Sequence, residues 1–107
     1  MTIMPKPLLI RRVQGDSMLP TLRGGRIVVA SGLARHYVPG DVVIVLHGGL
    51  EKIKRITDVR IYNNRHEVFV CGDNPGSSTD GRQFGWLPLQ TVKGRVIWPT
   101  SQNLSQR

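Results

Sequence analysis

A mostly β fold is predicted by three features of the chain. Apolar residues come in short runs rich in Val and Ile, and turn residues separate those runs. No stretch of ten or more residues holds the 3.6-residue apolar period of a helix. The 12 glycines and 7 prolines supply the punctuation. Residues 8–13 read as a first strand, and residues 26–31, entered through Gly24-Gly25, as a second. Pro39-Gly40 marks a turn into 41–46, an apolar run too short for a helix. Gly48-Gly49 suits a hairpin turn into 50–57. Residues 60–62 and 67–71 flank Asn63-Asn64, a second hairpin. Residues 72–85 form a polar, glycine-rich loop long enough to suggest function. Residues 91–98 make the last strand, and 101–107 read as a flexible tail. At Ser17–Leu22 only a short helical turn is expected, limited by Pro20.

With 107 residues the chain suits one domain, residues 1–107, with its core within 8–98. The lone cysteine, Cys71, excludes an internal disulfide. No run of roughly 18 apolar residues occurs, so no transmembrane helix is expected. Together these predict a cytoplasmic protein without stable membrane insertion. Net charge is +8, from 15 Lys+Arg against 7 Asp+Glu. The basic residues are scattered and belong to no nucleic-acid module, so a solvated basic surface is expected and nucleic-acid binding is not. His36, His47 and His66 fall in or beside loops and read as solvated. They lack metal-ligand spacing, and Cys71 has no partner cysteine, so neither metal nor cofactor is expected.

Three segments carry chemistry. In Gly15-Asp16-Ser17-Met18-Leu19-Pro20-Thr21-Leu22, glycine permits a tight backbone that can expose a serine hydroxyl and free N–H groups. A serine nucleophile needs a base, and the histidines are poorly placed. Lysine can serve if desolvation among apolar groups lowers its pKa from about 10.4. In the strand at 50–57, alternation puts Leu50, Lys52, Lys54 and Ile56 on one face, leaving Lys52 and Lys54 equally eligible. The third segment, 72–85, is an Asx-rich turn in which Asp80 and Arg82 can pair.

In order, these segments resemble the boxes of the signal peptidase I family of serine–lysine peptidases. Gly15–Leu22 is similar to the family's Ser-Met-x-Pro-Thr-Leu box, and Pro39-Gly40-Asp41-Val42-Val43 resembles its Gly-Asp-x-Val box. Ile53-Lys54-Arg55-Ile56 resembles the Lys-Arg-Val box, and residues 72–85 resemble Gly-Asp-Asn…Ser-x-Asp-Ser-Arg-x-Phe-Gly. The likeness spans roughly 13–98. It implies a single compact signal-peptidase-like domain of short antiparallel strands, with Ser17 as nucleophile and Lys54 as general base. It also implies that Ser78 orients the lysine amine, while Asp80 and Arg82 brace that loop. Val13, Gly15, Met18, Leu22 and Ile53 fall at positions that shape the family's substrate pocket.

Four departures stand out. Gly15 occupies a position where some members carry an oxyanion-hole serine, so that donor must be backbone. Gly81 replaces a usual serine, Gly25-Arg26 replaces Gly-Asp, and the Gly-x-Pro-Gly-Asp expected after the lysine box is absent. The trimmed form resembles the nickel-type superoxide dismutase maturation proteases, as do Asp73–Asp80 and Gly94–Pro99. That resemblance implies removal of an N-terminal propeptide, with the nickel superoxide dismutase proform as substrate. The alternatives are a leader peptidase acting on exported proteins and a non-catalytic basic domain on the same fold. A self-cleaving repressor domain would follow a helix-turn-helix, and none precedes Leu8.

Overall fold

Two tight turns build the centre of the fold. In the computed structural model, which describes residues 7–74, 76 and 84–99, Gly48 and Gly49 take φ of 62° and 80°. Asn63 and Asn64 take 51° and 62°. Both pairs thus meet the positive-φ requirement of a two-residue hairpin turn, which glycine and asparagine satisfy at least strain. The first turn joins β3 (Val42–His47) to β4 (Leu50–Tyr62), and the second joins β4 to β5 (Arg65–Cys71). Before them come β1 (Leu8–Arg12) and β2 (Ile27–Ser31). After them come the two-residue β6 (Leu87–Pro88), a 3-10 turn (Leu89–Thr91) and β7 (Val92–Trp98). All pairings are antiparallel, in one sheet of order β1-β2-β7-β3-β4-β5-β6. The expected mostly β architecture is what forms, and no helix among the described residues is long and apolar enough to cross a membrane.

Alternation on β3 divides the core. Val42 and Ile44 point into one cluster with Leu9, Val13, Met18, Leu22, Val28, Ala30 and Val96. Val43 and Val45 point into the other with Ile56, Val68, Val70 and Leu87. A strand buried on both faces reads as a continuous apolar run, which is why 42–46 shows no polar alternation.

The expectation of separate strands at 50–57 and 60–62 is corrected. β4 is one strand of 13 residues, and its register on β5 slips between Ile56 and Asp58. Thr57 is the extra residue of a β-bulge, its hydroxyl donating to the Phe69 carbonyl at 3.1 Å. A bulge breaks the two-residue period, so the sequence pattern looks like a strand end.

Gly94 sits where β7 crosses the chain between β2 and β3. A Cβ there would lie 2.7 Å from the Ser31 carbonyl oxygen and 3.2 Å from Leu9 Cδ1. Backbone cannot yield as a flexible side chain can, so Gly94→Ala should destabilise the fold by about 1–3 kcal/mol. Urea unfolding checks this, as a lower midpoint with an unchanged slope.

Candidate active site

The connection between β1 and β2 is a closed loop. Val13 N–H donates to the Arg26 carbonyl and Gly25 N–H to the Val13 carbonyl, both at 2.8 Å, fastening its base. Gly15, at φ 71°, turns the chain inward, and its carbonyl lies so near Gly24 that a Cβ there would approach to 2.9 Å. Inside the loop, Leu22 N–H donates to the Met18 carbonyl at 2.9 Å, giving the single helical turn expected. That turn buries Met18 and Leu22 completely in the first core cluster. Burying two such side chains stabilises the loop by about 1.5–3 kcal/mol each, and Ser17 directly precedes the first of them.

Ser17 and Lys54 line the same cleft, about 530 Å³ in volume. Lys54 stands on β4 opposite Val43 and is 3% exposed, the one buried charged residue among those described. Lys52, two positions earlier, is only partly covered, its ammonium resting 4.7 Å from the centroid of the Phe84 ring. Alternation could not separate these two lysines; burial does.

Of the expected pocket residues, Val13, Gly15 and Ile53 line the cleft. Met18 and Leu22 do not line it and form the packing beneath the serine loop. The cleft also takes Arg11, Arg12, Gln14, Ile44 and Glu51, which the sequence reading missed, and Lys52, which it had weighed as a base. Ser78, Asp80 and Arg82 lie outside the described residues. His36 and His66 are exposed as expected, but His47 is not simply solvated. Its ring stacks on Phe84 at 4.3 Å, and its buried Nδ1 has no hydrogen-bond partner among the described residues.

A second group missed by the sequence reading holds the site together. The Asp73 carboxylate accepts from Arg55 Nε at 2.9 Å and Nη2 at 2.8 Å, a two-pronged pair. It also accepts from the Thr21 hydroxyl at 2.5 Å. The third arm of Arg55, Nη1, donates to the Gly40 carbonyl at 2.8 Å. Next along the chain, Asn74 N–H donates to the Ser17 carbonyl at 2.9 Å, and Asn74 Nδ2 to the Asp16 carbonyl at 3.1 Å. The four boxes of the sequence are thus fastened by side chains that perform no expected chemistry. Burial alone would raise the Asp73 carboxyl, but the hydrogen bonds from Arg55 and Thr21 outweigh it and hold the group below its ordinary value. The Arg55 guanidinium is raised in turn, chiefly by its hydrogen bond to Asp73.

A family model for signal peptidase, peptidase S26, matches residues 58–100, a segment that follows both Ser17 and Lys54. Mitochondrial inner membrane protease subunit 1 of Mus musculus is 33% identical over 112 residues, covering 81% of this chain and 68% of that protein. The Homo sapiens subunit 1 has the same identity and coverage. The Schizosaccharomyces pombe subunit 1 is 32% identical over 115 residues, covering 84% and 73%. By class, then, the chain is a peptidase. It belongs to the signal peptidase, peptidase S26, family.

These similarities overturn the expected cytoplasmic address, because the relatives are proteases of the mitochondrial inner membrane. A single cysteine and the lack of a long apolar run describe a chain's composition and do not place it in a compartment.

Linkage gives Asp73 a definite pH signature. Its unfolded carboxyl titrates near about 3.9 and its folded one lower, so its contribution is complete above that pH and lost as pH falls through the folded value. Asp73→Asn keeps the shape and removes the charge. It should cost about 1–3 kcal/mol at pH 7 and flatten the loss of stability below about pH 4. Urea unfolding of both proteins at several pH values checks this, and parallel acid limbs would contradict it.

Proposed function

We propose that the protein is a leader peptidase, a serine–lysine endopeptidase that removes N-terminal leaders from precursor proteins at a membrane face. The observation that carries this reading is the meeting, in one cleft, of Ser17 from a braced loop and the buried Lys54 from β4. The names of its relatives, proteases of an inner membrane, support both the leader peptidase and its site of work. They lend nothing to nickel superoxide dismutase, and the leader-peptidase reading takes the place of that narrower substrate.

In this mechanism Lys54 Nζ, neutral, takes the Ser17 hydroxyl proton as Oγ attacks the scissile carbonyl. An amine removed from water disfavours its charged form, which is what lets a lysine serve as a base. Among the described residues nothing accepts from the Ser17 N–H, which leaves it to donate to the developing oxyanion. The tetrahedral intermediate expels the new amino terminus, which takes the proton from Lys54. The acyl group stays on Ser17 until water, deprotonated by Lys54, releases it as a carboxylate. In this scheme Ser78 orients the amine, while Asp80 and Arg82 support its loop.

The test is cleavage of synthetic precursors with leaders, reading the new N-terminus, beside a nickel superoxide dismutase proform. Ser17→Ala should lose activity by roughly four orders of magnitude or more while staying folded. Lys54→Met should be equally inactive and Lys52→Met largely active. For the wild type, cleavage should rise with pH through a folded lysine pKa below the free value of about 10.4. The unfolded lysine holds its proton where the buried one does not, so burial costs stability below the unfolded pKa. Lys54→Met should therefore be no less stable than wild type near pH 7. Activity in Ser17→Ala or Lys54→Met would overturn the dyad, and cleavage of the proform alone would overturn the leader-peptidase reading.

A further inference from the structure

Away from the cleft, the loop after β2 and the tip of the β4–β5 hairpin enclose a second groove of about 460 Å³. Its floor is apolar, because Tyr37, Leu89 and Val92 line it and pack against the second core cluster. Its rim is basic, with Arg35 from the loop, Arg65 from the hairpin tip and Lys93 from β7. Among the described residues no Asp or Glu lines it. Arg35 and Arg65 are exposed, and neither makes a hydrogen bond or ion pair with a described residue. Elsewhere Arg11, Arg55, Arg60 and Arg95 each face a carboxylate. The groove shares no lining residue with the cleft. Along β4, Lys54 and Tyr62 stand eight positions apart, roughly 27 Å of extended strand.

Like charges gathered without an acid repel one another, an arrangement that an anionic ligand relieves. Guanidinium groups match phosphate oxygens in geometry as well as charge. The surroundings narrow the class of ligand further. Leu33, in the wall between Gly32 and Ala34, is 53% exposed, and Ile61, the cross-strand partner of His66, is 67% exposed. A free phosphate has no use for flanking apolar side chains, and an acidic peptide offers them little. A phospholipid supplies both parts, a phosphate at the depth of the arginines and acyl chains below it.

We propose that this groove docks the protein on an anionic bilayer, Arg35 and Arg65 holding the phosphate of an acidic phospholipid while Leu33 and Ile61 enter the acyl boundary. The proposal stands independently of the peptidase mechanism.

Cosedimentation tests it, with vesicles of about 30% phosphatidylglycerol in phosphatidylcholine and with phosphatidylcholine alone, at about 0.1 M salt. Arg35→Gln/Arg65→Gln and Arg23→Glu each lower the net charge by two, so together they separate position from charge. The double variant should bind the anionic vesicles about thirtyfold more weakly, each single change about fivefold, and Arg23→Glu within about twofold of wild type. Solution cleavage of a soluble precursor by the double variant should be unchanged. Equal losses in the double variant and Arg23→Glu would overturn the proposal, reducing the effect to general charge attraction. So would failure of wild type to bind the anionic vesicles, whether inorganic phosphate or a glutamate-rich peptide then occupied the groove instead.

Discussion

The site depends on one carboxylate. Asp73 accepts two bonds from Arg55 and one from Thr21, while Arg55 also holds the Gly40 carbonyl. Those partners come from the serine loop, the turn before β3 and the strand that carries Lys54. Fixing Asp73 therefore fixes the distance between serine and lysine. Arg11 and Glu51 at the cleft rim form another arginine–carboxylate contact. The rim pair is more than a third exposed on its arginine side, and such pairs contribute about 0–1 kcal/mol. Asp73 is more covered, and its oxygens meet three donors, so losing it leaves several polar groups unmatched at once.

Much of the fold was legible because local chemistry dictates it. Gly48-Gly49 and Asn63-Asn64 announce hairpins, and the unbroken apolar run of β3 announces a central strand. The choice of Ser17 and Lys54 as candidates rested on resemblance to a family pattern, since alternation treats Lys52 and Lys54 alike. What separates them is that one packs beside Val43 while the other rests on Phe84, a residue more than thirty positions away. The bulge at Thr57 was invisible because an inserted residue cancels the period on which strand reading relies. The Thr21–Asp73 contact spans 52 residues, and the stacking of His47 on Phe84 is likewise long-range. Neither leaves a trace in local composition.

The basic excess is also less uniform than a count suggests. Four arginines are matched to carboxylates, and Arg60 is further sandwiched between the rings of Tyr62 and Trp86 at 4.6 and 4.3 Å. Charge that has been neutralised in this way contributes little to the distant field. The arginines around the second groove keep theirs, which places unneutralised positive charge at the tip of the β4–β5 hairpin.

The loop that presents Ser17 closes between residues only 13 apart, through Val13 and Arg26, while its Met18 and Leu22 pack against residues as distant as Val96. The contacts that bring it to the lysine span 52 and 58 residues, from Thr21 to Asp73 and from Asp16 to Asn74. Loop-closure entropy favours the short ring early and the long ones late. Assembly order follows from that difference: a nascent chain can close the ring around Ser17 well before it can bring that ring to Lys54. The cleft that holds both residues exists only when the whole polypeptide has condensed.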